Sequence, residues 1–363
     1  MTITRPCHCT REAVQRALDF AETARTDEQV DRAIEAASDD VEGFLHRRFY
    51  PQLTTRSFDW PDRSYSRPWR LWLGANELIS ITSLTTGGVT LSPDSYFLRR
   101  SDYLDEPPYN SVELDLSGSA TFGGGATPQR DVRIAGLYGY SANEAALGTL
   151  VTAINAAAVG VDLSAAGSVG VGDLVRIDDE RMLVTDRSML DTGQDLAGDL
   201  NDSDAATLVP APNGTATSGE VILIDAERML VIDVAGDNLV VKRGWDGTVL
   251  SSHTSGANVY AARALTVQRG VCGTTAASHS LGAPVVRHVY PALVRDLSVA
   301  EAIDQLLQET AGYARAGSVQ DNSHNGISVS NIRSTKDQLG LGLDSLRSRA
   351  YTAYGRQARK SAV

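Results

Sequence analysis

Two histidines and several carboxylates stand at matched positions of internal repeats, and these are the residues best suited to chemistry. The segment 177–186 reads Ile-Asp-Asp-Glu-Arg-Met-Leu-Val-Thr-Asp, and a close copy follows at 224–233. A second repeated segment carries His253 in its first copy and His279 in its second. A catalytic histidine needs a nucleophile or a carboxylate within hydrogen-bond reach. Because duplication of a structural residue accounts for both histidines, we interpret them as turn-fixing residues and predict that the protein is not an enzyme.

Two groups of residues carry side chains of the kinds that bind metals. The first group offers the hard oxygen ligands that calcium takes, on Asp178, Asp179, Glu180 and Asp186. These carboxylates could instead pair with Arg181 and with arginines of the type of Arg243 and Arg269, which is the interpretation that we favour. The second group is Cys7-His8-Cys9, but a structural zinc site usually needs four ligands, and no second pair lies nearby. The sequence therefore predicts no metal and no cofactor.

The two repeated motifs overlap in an order that a simple array does not produce. The first motif recurs after 47 residues, whereas the second, Val-x-Arg-Gly-x-x-Gly-Thr, recurs after 26. Unequal shifts exclude a plain tandem array, which has one period. A nested insertion explains the order, because the strands 182–186 and 264–269 would then form a hairpin whose loop holds the inner copy. Loop tips tolerate insertions because closure entropy grows slowly with loop length.

Composition excludes several classes of protein. The chain has 363 residues, of which 42% are hydrophobic and 32 are glycine, and these values suit a globular protein rich in strands and turns. No apolar run reaches the roughly 18 residues of a membrane-spanning helix, and the N-terminus lacks the apolar stretch of a signal peptide. Three cysteines favour a reducing compartment. A net charge of −12 argues against a dedicated DNA-binding surface.

The charges are segregated along the chain. Segment 27–42 has a net charge of −6, and segment 333–363 has a net charge of +5. One interpretation is a solvated acidic helix and a solvated basic tail. The other interpretation is that opposite ends of the subunit meet different partners.

The elements that position these residues are helices at both ends and strands between them. Two amphipathic helices open the chain, the first after a Thr10 cap and the second with the capping-box spacing Thr26-x-x-Gln29. Short β-rich runs separated by turn signals fill residues 52–140. An alanine-rich stretch at 142–158 predicts a short helix. A later helical pattern at 292–312, opened by Pro291, carries a second capping-box spacing, Ser298-x-x-Glu301, and fits either one helix or two that break near Ser298.

The C-terminal region is predicted to be a linker followed by a helix. Residues 317–334 are rich in Ser, Asn and Gly, which is the composition of a flexible linker. A last helix is expected at about 336–359. It has no globular context of its own in the sequence, so its apolar stripe is expected to need a partner chain.

Four stretches together resemble one known family. They are Asp27-x-x-Val-x-x-Ala-Ile-x-x-Ala-Ser-x-x-Val-Glu-x-Phe-Leu-x-Arg-Arg-Phe-Tyr50, the β-region Leu78-Ile-Ser-Ile-Thr-Ser-Leu84 with Gly87-Gly-Val-Thr-Leu91 and Asp94-x-Tyr-x-Leu98, Val132-Arg-Ile-Ala-Gly-Leu-Tyr-Gly-Tyr140, and a helix opened by Pro291. The pattern resembles the head-to-tail connector, or adaptor, proteins of long-tailed bacteriophages. The resemblance covers about 1–150 and 287–315 and includes no invariant catalytic residue.

The resemblance implies a structural protein of the virion neck, assembled in the host cytoplasm. Its partners would be itself, in a ring of twelve copies, the portal protein, and a head-tail stopper or tail-completion protein. DNA would pass through the lumen, without sequence-specific contact, during genome ejection, and no membrane is involved. The predicted lumen or inter-subunit acidic face comprises Asp27, Asp31, Glu35 and Asp39. The predicted portal-docking residues are Leu343, Leu346, Arg347, Arg349, Tyr351, Tyr354, Arg356 and Arg359. The alternative function is neck decoration or glycan binding by the duplicated β-domain.

The predicted fold class is α+β, with a helical connector core, a β-hairpin arm, an inserted all-β domain of two nested copies and an extended C-terminal helix. The predicted domains are a core of helices and then strands at 1–150, the inserted domain at 160–286, a core helix at 287–316, the linker at 317–334 and the docking helix at 335–363. Within the insertion, the outer copy comprises 160–187 and 264–286, and the inner copy comprises 214–260.

Overall fold

The computed structural model describes residues 3–18, 26–61, 67–102, 104–205, 207–311 and 342–356. These residues form a mixed α and β fold with large antiparallel sheets, which confirms the predicted class. The chain divides into two compact units. The first unit comprises Met1–Val41, Glu144–Val271 and Thr275–Arg349, and the second comprises Glu42–Asn143, Cys272–Thr274 and Ala350–Val363. Within the described residues, no helix is both long enough and apolar enough to cross a membrane.

The described α-helices begin where the sequence offers caps. They are α1 (Arg11–Ala17), α2 (Asp27–Leu45), α3 (Ala292–Ala311) and α4 (Leu343–Tyr354). Thr10 caps α1 by accepting a 3.2 Å hydrogen bond from the Ala13 amide. At α2, the Thr26 amide donates to Gln29 Oε1 at 3.1 Å and the Gln29 amide donates to Thr26 Oγ1 at 3.4 Å. The predicted capping box of α2 is therefore confirmed.

Of the two alternatives for 292–312, the structure has the single helix, because α3 runs from Ala292 to Ala311 without a break at Ser298. Ser298 lies inside α3 and is fully buried, and its hydroxyl lies 3.3 Å from His8 Nδ1. Glu301 binds Arg347 instead of capping a helix. The helix begins directly after Pro291, because the fixed φ of proline suits a helix start. The capping-box spacing at Ser298 therefore does not mark a helix start, since it lies seven residues after Pro291 and inside α3.

A helical core in the first unit brings together α2 and α3, which lie far apart in the sequence. Val30, Ala33, Ile34 and Ala37 of α2 are all buried against Ala302 and Leu306 of α3. The same cluster includes Val171 and Leu183 from the repeat region. The periodic stripe of α2 is therefore covered partly by α3 and partly by a strand module.

Seventeen strands lie within the described residues. Those of the second unit are β1 (Gln52–Phe58), β2 (Arg70–Trp72), β3 (Leu78–Thr86), β4 (Val89–Thr90), β5 (Tyr96–Arg99), β6 (Ser111–Leu114) and β7 (Val132–Tyr138). They form one sheet with the order β1-β7-β3-β4 and a second with the order β2-β6-β5. Leu71, Leu78, Leu84, Ile134 and Tyr138 are central residues of their shared apolar core.

The remaining strands form a ten-stranded sheet in the first unit. They are β8 (Glu144–Thr149), β9 (Gly160–Asp162), β10 (Leu174–Ile177), β11 (Glu180–Asp195), β12 (Leu208–Pro210), β13 (Val221–Ile224), β14 (Glu227–Val234), β15 (Asn238–Trp245), β16 (Asn258–Gln268) and β17 (Pro284–His288). The order is β12-β15-β14-β13-β16-β11-β10-β17-β8, and β9 pairs with β16.

Strand β8 replaces the short helix that the alanine-rich stretch predicts. Its residues pair antiparallel with β17, and Val286 lies opposite Ala146. A Cβ on Gly148 would come within 2.9 Å of the Ala165 amide nitrogen, so the strand packs closely against its neighbour there. The helix prediction is wrong because long-range pairing outweighs the intrinsic helix propensity of alanine.

The strand pairings repeat in the order that a nested insertion requires. In the inner set, β12 pairs with β15, β15 with β14, β14 with β13, and β13 with the first half of β16. In the outer set, β9 pairs with the second half of β16, which pairs with β11, β11 with β10, and β10 with β17. Strands β11 and β16 each run through both sets. The predicted pairing of 182–186 with 264–269 is confirmed, since Leu183 lies opposite Gln268.

Each set of strands has its own apolar core, and the two cores match residue by residue. The outer core contains Ile177, Met182 and Val184, and the inner core contains Ile224, Met229 and Val231 at the same repeat positions. All six side chains are fully buried. Two structurally equivalent modules, each with a complete core, therefore share a single sheet.

Candidate functional site

The chemically promising residues of the outer module form one closed cluster around Glu180. Arg269 donates to both carboxylate oxygens of Glu180 at 2.7 Å. His279 Nε2 lies 2.9 Å from Glu180 Oε2, and its Nδ1 lies 2.8 Å from Asp178 Oδ2. The backbone amides of Gly270 and Ala277 also donate to Glu180, at 3.0 and 2.9 Å. The carboxylate is therefore saturated with donors.

The inner module repeats the cluster around Glu227. Arg243 donates to both oxygens of Glu227 at 2.7 Å, and His253 Nε2 lies 3.0 Å from Glu227 Oε2. His253 Nδ1 lies 2.7 Å from Asp225 Oδ2. The amides of Gly244 and Ser251 complete the set at 2.9 and 3.0 Å. The predicted arginine pairing is confirmed for Glu180 with Arg269, and its repeat equivalent Glu227 pairs with Arg243. Asp178 instead lies against His279, and Asp186 lies 3.5 Å from Arg11.

The clusters stabilise the negative charge of two buried glutamates. Burial alone raises the pKa of a carboxyl group, but the hydrogen bonds from arginine, histidine and backbone amides outweigh it. The pKa of Glu180 and the pKa of Glu227 are both lowered to about 2. Each histidine ring lies between two carboxylates, with Nε2 near the glutamate and Nδ1 near the aspartate. Such an arrangement fixes the loops that carry the histidines and leaves no oxygen of either glutamate without a donor.

The two modules differ at one pair of equivalent carboxylates, Asp173 in the outer module and Glu220 in the inner module. Glu220 receives two hydrogen bonds of 2.7 Å from Arg263, and its two oxygens accept from the amides of Ala166 and Thr217. Its repeat equivalent, Asp173, lies 3.6 Å from Arg287 and accepts a 2.9 Å hydrogen bond from the Gly170 amide. Burial raises the pKa of Asp173 to about 6, whereas Arg263 outweighs burial and lowers the pKa of Glu220. The fold therefore raises the pKa of the carboxyl group at position 173 and lowers that of the carboxyl group at position 220.

The N-terminal cysteines are core residues. Cys7 and Cys9 are buried in the cluster between α1, α2 and α3, and His8 is 1% exposed. Burial raises the pKa of both thiols, that of Cys9 to about 12. Among the described residues, no group of three or more His, Cys, Asp or Glu side chains is arranged to hold a metal ion.

The predicted acidic face is divided between the interior and the surface. Asp31 is 5% exposed and receives two 2.7 Å hydrogen bonds from Arg11, so its inclusion in a solvent-facing surface is corrected. Glu35 is half-buried and accepts a 2.8 Å hydrogen bond from the Thr4 amide. Asp27 and Asp39 keep side-chain exposures of 63% and 60%. They are the members of the predicted set that present charge to solvent.

The expectation that the last helix needs a partner chain to cover its apolar stripe is wrong, because α4 packs against its own chain. In the first unit, Arg347 donates from Nε and Nη2 to the two oxygens of Glu301 at 2.6 and 2.7 Å. In the second unit, Ala350 is fully buried and the Tyr354 ring lies 5.6 Å from the Tyr140 ring. The stripe of α4 is therefore at least partly covered without another chain.

The remaining predicted docking residues fall into three groups. Leu343 and Leu346 are half-buried, and Arg349 and Tyr351 are exposed. Arg356 donates from its backbone to the Leu45 carbonyl at 3.1 Å and from its side chain to the Gly74 carbonyl. Arg359 lies outside the described residues.

Sequence reasoning missed the seat of α4. Phe49, Tyr140 and Glu301 belong to three separate segments, and no spacing rule connects them with Arg347 or Tyr354. The sequence offered two signals. Glu301 is a charged residue within the apolar pattern of α3, and the aromatic residues Phe49 and Tyr50 follow α2. Within the first unit the tertiary fold brings Glu301 to Arg347, and within the second it brings Phe49 and Tyr140 to Tyr354.

No family model, curated protein or solved structure matches this chain.

Proposed function

We propose that the chain is a structural subunit of a bacteriophage neck, a head-to-tail adaptor that forms a ring between the portal and the tail. The observation that carries the proposal is the packing of α2 against α3. These helices hold the segments that resemble connector proteins, and the whole repeat region separates them in sequence. They nevertheless share one buried core, in which Ile34 is fully buried and Leu306 is 1% exposed. A connector core interrupted by an insertion would have this arrangement.

Apolar side chains on the surface support an assembling protein. In the second unit, Val89 is 64% exposed, Leu116 is 68% exposed and Phe97 is 47% exposed. A ring subunit buries two different surfaces against its neighbours, because head-to-tail contacts are heterologous. Exposed large apolar residues suit such contacts.

The charge distribution suits a channel for DNA. The net charge is −12, and Asp27 and Asp39 present carboxylates at the surface of α2. A lumen with negative charge repels the phosphate backbone, so DNA passes without sequence-specific contact. The copy number of twelve comes from the family resemblance.

We assign portal docking to the exposed face of α4 and the basic residues near it. In the first unit Arg347 pairs with Glu301, and in the second unit Tyr351 and Tyr354 pack against aromatic rings. Arg349 is exposed and is the residue of this helix that we assign to the partner. Arginine and tyrosine are common at interface hot spots. The portal and a stopper or tail-completion protein are the proposed neighbours in the virion.

The docking assignment is tested by replacing Arg349 with Glu and measuring binding to purified portal rings by co-sedimentation. We expect at least a tenfold loss of binding, with unchanged circular dichroism, because the Arg349 side chain is exposed. Arg32→Glu is the matched control, since Arg32 is an exposed arginine of α2 that pairs with Glu309. Equal binding by the Arg349 variant and the parent chain would remove α4 from the portal interface.

A second candidate function is neck decoration or glycan binding by the inner module. The observation that favours it is the separate inner core, together with Val249 at 82% exposure and Ile232 at 55% exposure on that module. A glycan array probed with the full chain tests it. Specific binding that disappears in a chain lacking the inner module would support this role.

A further inference from the structure

In the outer module, the side of the sheet that points away from the module's own core is covered by helices. Leu183 and Gln268 lie opposite each other, and direct cross-strand partners share one face of a sheet. Leu183 is fully buried in the cluster that contains Ile34 of α2 and Leu306 of α3, and Val271 packs against the same cluster. The outer module therefore uses this side as a seat for helices.

The inner module repeats the register of this side without the same cover. Leu230 is the repeat equivalent of Leu183 and lies opposite Lys242. Trp245 is the repeat equivalent of Val271. Leu230 and Trp245 are half-buried, and neither belongs to the inner core. The inner module therefore presents large apolar side chains at the positions where the outer module meets helices.

Two more apolar residues extend this side of the inner module. Val240 is half-buried and lies opposite Leu208, which is 56% exposed. Because successive side chains of a strand alternate and Leu239 and Val241 point into the inner core, Val240 shares the side of Leu230. We call this set the outward face of the inner module, and it comprises Leu208, Leu230, Val240, Lys242 and Trp245.

A cavity borders the outward face where α1 comes close to the inner module. It has a volume of about 360 Å³ and lies between α1 and the strands. Gln15 and Arg16 line it from α1, and Val221 and Arg228 line it from β13 and β14. Val221 lies opposite Leu230, so the cavity opens beside the outward face. There is therefore room next to α1 for a further element on this side of the sheet.

Basic side chains surround the Trp245 ring. Lys242 Nζ lies 4.8 Å from the ring centroid, and the Arg16 guanidinium lies 5.7 Å from it. Arg228 lies opposite Trp245 and is 3.7 Å from Asp246, which offsets part of its charge. Lys242, Arg16 and Arg228 are all exposed. The outward face therefore combines apolar side chains with a positive border, which suits an acidic partner.

We propose that the outward face of the inner module binds an amphipathic α-helix of a partner protein, one with an apolar stripe and acidic flanks. The outer module supplies the precedent, because the apolar stripe of α2 packs in the cluster of Leu183, and segment 27–42 of that helix has a net charge of −6. An apolar helix face laid into an apolar groove is a recurrent mode of recognition. The partner helix lies beside α1 and places its carboxylates near Arg16, Arg228 and Lys242. This inference is independent of the proposed ring, since it concerns a surface of one chain.

The chain offers a probe of this chemistry in its own α2. A fluorophore-labelled peptide of residues 26–45 with blocked ends carries the apolar stripe and a net charge of −6, and its binding to the full-length chain is measured by fluorescence anisotropy. We expect saturable binding that Leu230→Asp weakens at least tenfold, because the variant buries a charge in an apolar contact. Lys242→Glu should weaken binding severalfold at low salt and less at high salt. Leu116→Asp, at an exposed leucine of the second unit, is the matched control and should bind like the parent.

Further measurements decide between the possible outcomes. A peptide of the same composition with its stripe scrambled tests for charge attraction alone. If Leu230→Asp loses the circular dichroism of the parent, Lys242→Glu decides in its place, since that side chain is exposed. Equal binding of the scrambled peptide, equal binding by the folded variants, or no saturable binding at millimolar peptide would overturn the inference. Self-association of the parent chain that Leu230→Asp abolishes would make a second copy the occupant and would overturn the assignment to a partner protein.

Discussion

At the scale of single residues, the groups that look chemically active are those that the fold uses for its own loops. Glu180 and Glu227 each sit between a bidentate arginine, a histidine and two backbone amides. The Glu, Arg and His residues of the repeated motifs therefore form the same side-chain cluster in both modules. A buried charge of this kind is stable only while every partner is present, because removal of one partner leaves the other charge uncompensated.

The first prediction concerns the equivalent positions 173 and 220. Glu220→Gln breaks a buried pair with Arg263 and should lower the free energy of unfolding by about 3 kcal/mol. Asp173→Asn removes a carboxylate whose folded pKa is about 6, against an ordinary value of 3.8, and retains an oxygen for the Gly170 amide. At neutral pH it should raise the free energy of unfolding by about 1 kcal/mol.

Urea unfolding at pH 7 and pH 5 tests this prediction. A raised carboxyl pKa gives stability that is present below the unfolded value and lost as pH rises through about 6, so the advantage of Asp173→Asn should shrink at pH 5. The opposite pKa shifts of Asp173 and Glu220 would be contradicted if Asp173→Asn lowered the free energy of unfolding at pH 7, or if Glu220→Gln left it unchanged.

The second prediction concerns acid stability. The folded pKa of Glu180 and that of Glu227 are about 2, below the ordinary value of 4.5. A lowered carboxyl pKa gives stability that is present above the unfolded value and lost as pH falls toward the folded one. We therefore expect the free energy of unfolding to fall between pH 4.5 and pH 2. Glu227→Gln should flatten this dependence, while Glu309→Gln, at an exposed pair with Arg32, should leave it unchanged. Parallel pH curves for all three chains would refute the role of the clusters.

At the scale of elements, the repeat region is a module within a module. The long strands β11 and β16 continue from the outer hairpin into the inner set. Their junction is fixed by Arg187, which donates to the carbonyls of Val169 and Ala262 at 2.7 Å. The outer core is complete without inner residues, whereas the helical core requires Val171 and Leu183 of the outer module. The inner module is therefore the removable one.

The third prediction follows from that difference. Replacing residues 188–263 by Ala-Gly-Asp, the loop that joins β14 to β15 in the inner module, should close the outer hairpin in the same way. We expect a folded chain that assembles like the parent, because the outer core and the helical core stay covered. Removal of 160–286 is the contrasting variant, and it should aggregate because Ile34 and its neighbours lose part of their cover. Size-exclusion chromatography and near-ultraviolet circular dichroism distinguish the two. Aggregation of the shorter replacement would show that the modules depend on each other.

Sequence patterns predicted those elements whose signals are local. The capping box at Thr26 and the nested hairpins depend on neighbouring residues or on repeats, and both are confirmed. Strand β8, the interior position of Ser298 and the seat of Arg347 depend on partners far along the chain. Local propensity carries no information on such partners, since pairing and burial decide between alternatives of similar intrinsic energy. The fully closed glutamate clusters were predicted only as arginine pairs, because the distances to histidine and to backbone amides require the fold.

At the scale of the whole molecule, the described residues bury the paired charges of Glu180, Glu220 and Glu227 and keep apolar and charged groups at the surface. The acidic residues Asp27 and Asp39 lie on one helix, and exposed Arg349 lies on another. Separated charges of this kind suit a subunit with several different neighbours. The proposed role, mechanical joining in a ring, would account for these surfaces together with the shared core of α2 and α3.

The most direct test is the mass of the purified full-length chain, measured by mass photometry over a wide concentration range, with and without portal rings, and with negative-stain images of the largest species. The proposed function predicts a closed ring of about twelve copies, which the resemblance to connectors implies, with a central channel and attachment to the portal. A particle that keeps the mass of a single chain at every concentration, even with portal present, would contradict it.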